Sequence, residues 1–147
     1  MARKFGRNVA FSLATMLLSV AAACGGDKST GPDMGDVAGP YEATVLTATK
    51  GGVQYDAIAD GASIHLVLAE DGTTSGSFFV PASDLNDNVP VSEGMAGTWT
   101  LDGGTVHISQ PADTFIRDLP LAVDGDKLTG NATFDDVQVH LVLSRQD

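Results

Sequence analysis

Three histidines are the first residues in this sequence with the right chemistry for a metal site, because imidazole nitrogens bind zinc. His65, His107 and His140 lie in separate segments where apolar residues occupy alternate positions, and each falls on the polar side of that alternation. All ligands of one zinc ion must approach it to about 2 Å. The three segments are the second, fifth and eighth strands predicted below, which are not neighbours. We therefore interpret the histidines as surface residues and predict no metal site.

Residues 84–88, Asp-Leu-Asn-Asp-Asn, resemble the start of a calcium-binding loop, because calcium prefers carboxylate and amide oxygens. The EF-hand pattern then requires Gly at its sixth position and Glu at its twelfth, where this chain has Val89 and Met95. Asn and Asp are also common in loops because their side chains bond to nearby backbone groups. The segment is therefore interpreted as a turn-rich loop, and we predict no cofactor.

Arg117 is one of the four cations of the domain, with Lys50, Lys127 and Arg145, and it alternates with Phe115 and Leu119. An inward guanidinium can bind the carboxylate of a ligand, because its planar fork matches a planar anion. The other interpretation is an ion pair with Asp113 or Asp118, or stacking on an aromatic ring. The sequence favours this second interpretation but leaves the first open.

Catalytic motifs are weak throughout. The only thiol belongs to Cys24, and no Gly-x-Ser-x-Gly elbow is present. Asp135 and Asp136 are paired carboxylates, but adjacent residues at a predicted turn point apart. No glycine-rich phosphate loop precedes a helix. We predict that the protein is not an enzyme.

Composition sets the class of protein. The chain has 147 residues, of which 43% are hydrophobic and 18% charged, as expected of one globular domain. Eight basic residues against 19 acidic ones give a net charge of −11, which argues against nucleic-acid binding. A single Cys cannot form an internal disulfide. We expect a monomer.

The first residues are typical of a secretory signal. Arg3, Lys4 and Arg7 form a basic start, and a mostly apolar run continues from Val9 to Ala23. The run is shorter than the roughly 20 residues that cross a membrane comfortably. We predict a signal peptide over residues 1–23.

The end of this segment, Val20-Ala21-Ala22-Ala23-Cys24, resembles the lipobox of bacterial lipoproteins. The resemblance implies cleavage before Cys24, acylation of its thiol and new amine with chains such as palmitate, and attachment to a membrane. Gly25 in place of Asp implies the outer membrane where the cell has one. The alternative is a secreted protein whose only Cys lies there by chance.

Cleavage leaves residues 24–147, with five basic against 19 acidic residues and a net charge of −14. Anionic lipids repel such a surface, so the lipid itself must hold the protein at the cell envelope. Residues 24–39, with Cys24 and five Gly, are predicted to be a flexible linker. The domain then covers residues 40–147.

Period-two alternation of apolar residues recurs along this domain and predicts antiparallel strands with one buried face. Asp-Gly pairs at 71–72, 102–103 and 124–125 predict hairpin turns, and Asp135-Asp136 a weaker one. The predicted strands cover about residues 41–49, 62–69, 74–80, 95–101, 104–110, 113–122, 127–134 and 137–145. Residues 50–61 and 81–94 are long connections, the first of which contains a possible short strand at 53–57.

Eight strands joined mainly by hairpins predict an all-β, up-and-down meander closed into a small barrel, which removes exposed strand edges. A Greek-key sandwich is the alternative. The expected core comprises Ile64, Leu66, Leu68, Phe78, Trp99, Val106, Ile108, Phe134, Val139 and Leu141.

Several segments along the domain form a recognisable pattern: Gly39-Pro40-Tyr41, residues 66–73, Gly97-Thr98-Trp99-Thr100-Leu101 with Gly104-Thr105-Val106, Leu128-Thr129-Gly130 and residues 141–145. With this pattern the whole domain resembles the small lipocalin-like domains of bacterial lipoproteins. True lipocalins have Gly-x-Trp in the first strand, whereas here it lies in mid-chain, so the resemblance implies the barrel and no particular ligand.

Two functions follow from this architecture. The first is a non-enzymatic envelope lipoprotein whose barrel binds a small apolar or amphipathic molecule, and the expected ligand of an open barrel is fatty-acid-like or otherwise amphipathic. The second is a structural or protein-interaction module with a filled barrel, and the short strands slightly favour a filled interior. If the barrel is open, its mouth lies between the two long loops. The candidate ligand-binding residues are Tyr55, Leu85, Val89, Val91, Trp99 and Arg117.

Overall fold

The computed structural model describes residues 30–147, and these form an almost entirely β structure. In chain order the elements are α1 (Met34–Val37), β1 (Gly39–Lys50), β2 (Val53–Asp56), β3 (Ser63–Leu68), β4 (Thr73–Val80), β5 (Val91–Gly94), β6 (Gly97–Asp102), β7 (Thr105–Ser109), a 3₁₀ helix (Phe115–Asp118), β8 (Leu121–Asp124), β9 (Lys127–Phe134) and β10 (Val137–Arg145). The predicted fold class is confirmed.

Eight antiparallel strands close into a barrel in the order β1, β3, β4, β6, β7, β8, β9, β10. Closure is made by β10, which pairs with β1 from Tyr41–Arg145 to Lys50–Val137. β2 and β5 are additional short strands that pair with the last residues of β1 and β4. The pairing of first strand with last confirms the barrel and excludes the sandwich.

The two ends of the barrel differ in their connections. Tight turns join β3 to β4, β6 to β7 and β8 to β9 at one end, called the base below, as the Asp-Gly pairs predicted. Gly103 and Gly104 have φ of 55° and 84°, the left-handed conformation that a two-residue hairpin turn requires. The longer connections, residues 57–62, 81–90 and 110–120, lie at the opposite end, called the loop end.

The core follows from the alternation within each strand. In β3, Ile64, Leu66 and Leu68 are buried while His65 between them is exposed. Nine of the ten predicted core residues are buried together, and the tenth, Phe134, is half-buried against them. Toward the base the barrel is filled with side chains.

The sixth predicted strand, residues 113–122, is wrong over most of its length. Residues 115–118 form a 3₁₀ helix, and the strand begins only at Leu121. Ile116 and Leu119 are both buried, and their spacing of three is one turn of a 3₁₀ helix. β7 pairs with β8 only at Thr105 and Val106. Beyond that point residues 110–120 stand in place of a strand, and Ile116 and Leu119 insert into the barrel as a plug.

The prediction of a loop over residues 81–94 is wrong for the last four residues, which form β5. The possible short strand after β1 is present as β2. Both lie at the loop end, where they continue the sheet beyond the barrel strands. There the end of β1 pairs with β2 instead of β3, so the wall divides between β1 and β3.

The last residues of the predicted linker fold onto the base. α1 buries Val37, and Ala38 follows it into the core. The Tyr41 hydroxyl donates a hydrogen bond of 2.7 Å to the Val37 carbonyl. Arg145 donates to the carbonyls of Asp36 and Ala38. The folded domain therefore begins several residues before residue 40.

Candidate functional site

A cavity of about 230 Å³ opens at the loop end of the barrel. Its walls come from the ends of β1, β2, β4 and β5, from the start of β10, and from the connections at this end. Seventeen residues line it: Leu46, Ala48, Tyr55, Ala57, Asp60, Phe78, Val80, Pro81, Ser83, Leu85, Asn86, Val91, Asp113, Thr114, Phe115, Val137 and Val139. Most are apolar, so the cavity extends the hydrophobic core toward solvent.

Aromatic rings form the floor between the cavity and the plug. Phe115, at the start of the 3₁₀ helix, meets Phe78 edge-to-face with centroids 5.4 Å apart and Phe134 at 6.3 Å. Such pairs stabilise by about 0.5–1.5 kcal/mol beyond the area they bury. The 3₁₀ helix thus directs Ile116 into the barrel and Phe115 toward the cavity.

The connection 81–90 is held in shape by its own hydrogen bonds. The Asn86 side-chain oxygen accepts a bond of 2.7 Å from the Ser83 amide, and its nitrogen donates at 2.8 Å to the Pro81 carbonyl. Asp87 and Asn88 have positive φ, which Asn and Asp tolerate better than other non-glycine residues. This compact turn fixes Leu85 in the cavity wall.

The oxygens that suggested a calcium loop take part in the same turn. Asn88 donates to Asp84 at 3.3 Å, and the Asn86 oxygen bonds the Ser83 amide as above. Within residues 30–147 no cluster of three or more His, Cys, Asp or Glu side chains has the arrangement of a metal site. The turn interpretation therefore accounts for the residues at 84–88.

A buried Thr–Gln pair adjoins the wall, and of the two residues only Thr114 lines the cavity. Thr114 lines the cavity with only 4% of its surface exposed, and its hydroxyl accepts a hydrogen bond from the Gln110 side-chain amide. The Gln110 side-chain oxygen is buried without a partner among the described residues. A buried polar atom without a partner costs about 1–3 kcal/mol. Polar hydrogen-bonding capacity therefore remains next to an otherwise apolar wall.

Arg117 does not line the cavity and is paired with Asp113 and Asp118, as the favoured interpretation of the sequence expects. Its guanidinium lies on the outer side of the 3₁₀ helix, 2.9 Å from the Asp113 carboxylate and 3.3 Å from that of Asp118. These carboxylates, Asp118 first, raise the pKa of Arg117. The inward alternative required strand-like alternation with Phe115 and Leu119, and a 3₁₀ helix does not alternate its side chains as a strand does.

The other five candidate residues divide between cavity and scaffold. Tyr55, Leu85 and Val91 line the cavity. Val89 does not, and it is 59% exposed on the outside of its loop. Trp99 lies near the base, where its indole N–H donates a bond of 2.8 Å to the Ala69 carbonyl. Trp99 packs in the core because its strand lies below the cavity.

Several residues of the wall look like ordinary core residues in the sequence. Leu46, Phe78, Val137 and Val139 lie on the inward faces of their strands, as the alternation predicts. What the alternation does not reveal is that these strands extend past the plug. The lengths of β1 and β10, 12 and nine residues, are the available signal, since both exceed the typical strand of about five to six residues.

The histidines lie on separate strands, β3, β7 and β10. His65 is 3.9 Å from the Glu42 carboxylate, and His140 is hydrogen-bonded to the Asn131 side chain at 2.6 Å. His107 is exposed. They are not brought together, because their strands occupy different parts of the barrel wall.

The predicted signal peptide, the predicted lipidation site Cys24 and the first part of the predicted linker lie outside the described residues. Among residues 30–147, no helix has the length and apolar character needed to cross a bilayer. Chemically, the described site can enclose a small apolar group and contact a polar group at its rim.

No family model and no curated protein matches this chain.

Proposed function

We propose that this protein is a non-enzymatic lipoprotein of the cell envelope whose barrel binds a small apolar or amphipathic molecule. The observation that carries the proposal is the apolar cavity at the loop end. Its walls are strand ends and an internally bonded turn, so the space exists before a ligand arrives. A preformed apolar pocket with a few polar groups is the usual form of a small-molecule site.

The volume limits the size of the ligand. An apolar cavity of about 150 Å³ accepts benzene, which has six carbon atoms. By proportion, a cavity of 230 Å³ accepts about nine non-hydrogen atoms. This is below the range of about 300–1,000 Å³ for drug-sized ligands. The expected ligand is therefore a short chain or a single ring, while a long acyl chain would extend out of the cavity.

A cavity-filling variant tests binding. Ala48 lies on the inner face of β1 in the cavity wall, so Ala48→Leu should occupy the space and abolish binding. Ala122 is exposed on β8, and Ala122→Leu adds the same atoms outside the barrel. Titration with 1-octanol, followed by calorimetry, should show one saturable site in the parent and in Ala122→Leu only. Mass spectrometry of protein extracted mildly from its native envelope should identify a co-purifying molecule.

Absence of binding would favour the other function. If the parent protein neither carries a molecule nor binds short alcohols, the barrel is a structural or interaction module. Equal binding by the parent and Ala48→Leu would place the ligand outside the cavity.

The proposed location at the cell envelope rests on the sequence of residues 1–24. A basic start, an apolar run and a final Ala-Ala-Ala-Cys support lipid attachment at Cys24. Two or more acyl chains anchor a protein stably, whereas one does so only marginally. We expect the native N-terminus to be an acylated Cys24 and the protein to fractionate with membranes. Cys24→Ala should yield soluble protein, and an unmodified mature terminus elsewhere would contradict the proposal.

A further inference from the structure

The charges around the cavity point to the chemical class of its ligand. Asp60 and Asp113 are the ionisable carboxyl groups that line it, one on the β2–β3 connection and one just before the 3₁₀ helix. Among residues 30–147, no Lys or Arg side chain lines the cavity. The rim of the apolar cavity is therefore anionic.

The two carboxylates differ in how far they are neutralised. Asp113 is paired with Arg117, but Arg117 is shared with Asp118, so this group of three keeps one net negative charge. Asp60 has no ion-pair or side-chain hydrogen-bond partner among residues 30–147. Asp60 is thus the rim carboxylate that has no cationic partner among residues 30–147.

The surrounding connections strengthen the same field. The loop end carries nine carboxylates and two cations, Lys50 and Arg117, and Lys50 lies 3.7 Å from Asp136. The carboxylates are Asp56, Asp60, Asp84, Asp87, Glu93, Asp113, Asp118, Asp135 and Asp136. Charges of one sign around an apolar cleft concentrate ligands of the opposite sign and repel those of the same sign.

From this geometry, and resting on the proposed binding function, we infer that the cavity selects a small amphiphile with a cationic head, such as an alkylammonium. The apolar part occupies the space above Phe115, and the ammonium group lies at the rim near Asp60. A carboxylate head is disfavoured there, so the fatty-acid-like ligand suggested by an inward Arg117 is not the preferred class. An aliphatic ammonium group, like that of Lys, stays protonated at pH 7.

Three probes with the same chain separate the contributions of head and tail. Octylammonium, 1-octanol and nonanoate carry the same octyl chain and differ in head charge, and this chain fits within the roughly nine non-hydrogen atoms that the cavity accommodates. A unit charge about 4 Å away in water changes a binding constant by about fivefold. At low salt we expect octylammonium to bind about fivefold more tightly than octanol, and nonanoate about fivefold more weakly. The differences should shrink in roughly 0.5 M salt because of screening.

Substitution of the unpaired carboxylate provides the decisive comparison. Asp60→Asn should weaken octylammonium binding about fivefold and leave octanol unchanged. Asp124→Asn removes one charge from the β8–β9 turn at the base and should change neither affinity. Amide chemical shifts should locate the bound probe beside Leu46, Ser83 and Thr114, which separates cavity binding from general attraction to an acidic surface.

The outcomes distinguish this inference from the proposal beneath it. Octanol binding in the cavity without any preference for octylammonium would overturn the cationic class and leave the binding function standing. Nonanoate as the tightest probe would do the same. Failure of all three probes would overturn the binding function itself.

Discussion

Replacing Gly130 with Ala tests the plug formed by the 3₁₀ segment. Gly130 lies on the inner side of β9, and a Cβ placed on it would be 2.6 Å from Leu119 Cδ2 and 2.9 Å from Leu121 Cδ2. Carbon atoms pack best at about 3.5–4.0 Å, so Leu119 must move by about 1 Å. Because its Cγ atom is only 2.7 Å away, rotation of the terminal methyl groups does not suffice.

Two opposing effects set the change in the free energy of unfolding that Gly130→Ala causes. Overpacking a core costs about 1–3 kcal/mol. Ala restricts the unfolded chain more than Gly does, and this stabilises the folded protein by about 0.4–1 kcal/mol. We therefore expect Gly130→Ala to lower the free energy of unfolding by about 1–2 kcal/mol. Urea denaturation followed by the fluorescence of Trp99, the only Trp and a buried one, measures this change.

A double-mutant cycle assigns the cost to Leu119. Leu119→Ala alone should destabilise by about 2–5 kcal/mol, since it removes a buried side chain. In that background Gly130→Ala should be close to neutral, with a coupling of at least about 1 kcal/mol between the two sites. Gly94→Ala is the control, because nothing lies within 4 Å of its Cβ position. Equal destabilisation by Gly130→Ala in both backgrounds would refute the described plug.

Two further predictions concern the base. Trp99→Ala should cost about 3–5 kcal/mol, and Trp99→Phe about 1–3 kcal/mol, because the smaller ring loses the bond to Ala69. Circular dichroism during denaturation measures both, and parental stability of Trp99→Ala would contradict the packing. The Thr73 hydroxyl and amide donate to Asp71 and lower the pKa of its carboxyl group. Their contribution to stability is therefore present above the ordinary carboxyl pKa of about 3.9 and is lost as pH falls through the lowered folded value. An NMR titration should show the Asp71 pKa moving back toward its ordinary value in Thr73→Val; an unchanged pKa would count against the hydroxyl's role.

Strands and turns were predictable because both depend on local rules. Alternation in β3, β9 and β10 matches the two-sided geometry of a strand with one buried face. The 3₁₀ helix was missed because Phe115, Arg117 and Leu119 alternate in sequence like a strand. The better signal was the spacing of Ile116 and Leu119 followed by Pro120, which cannot continue a hydrogen-bonded segment. β5 was missed because short edge strands often carry polar residues and lack an apolar face.

The site was only partly predictable. Loop length pointed to Tyr55, Leu85 and Val91, which line the cavity, because long connections in a compact domain usually have a role. Whether an inward side chain fills the barrel or lines an empty space depends on how far the plug reaches, which is a long-range property. Trp99 and Phe78 are both inward aromatic residues, yet only Phe78 meets the cavity.

Because α1 docks on the base, the N-terminal segment joins the barrel at the end opposite the cavity. The hydrogen bonds from Tyr41 and Arg145 fix the point where the chain enters the barrel, at the end opposite the cavity. With the proposed lipid at Cys24, the predicted linker before Asp33 is nine residues long and averages roughly 15–18 Å in a coil. On that proposal the bilayer would lie beneath the base, and the cavity would open away from it, about 30 Å higher by the length of a tilted 12-residue strand. Such an orientation would suit sampling of the aqueous compartment, so the ligands within reach of the proposed lipoprotein would be those soluble enough to leave a membrane.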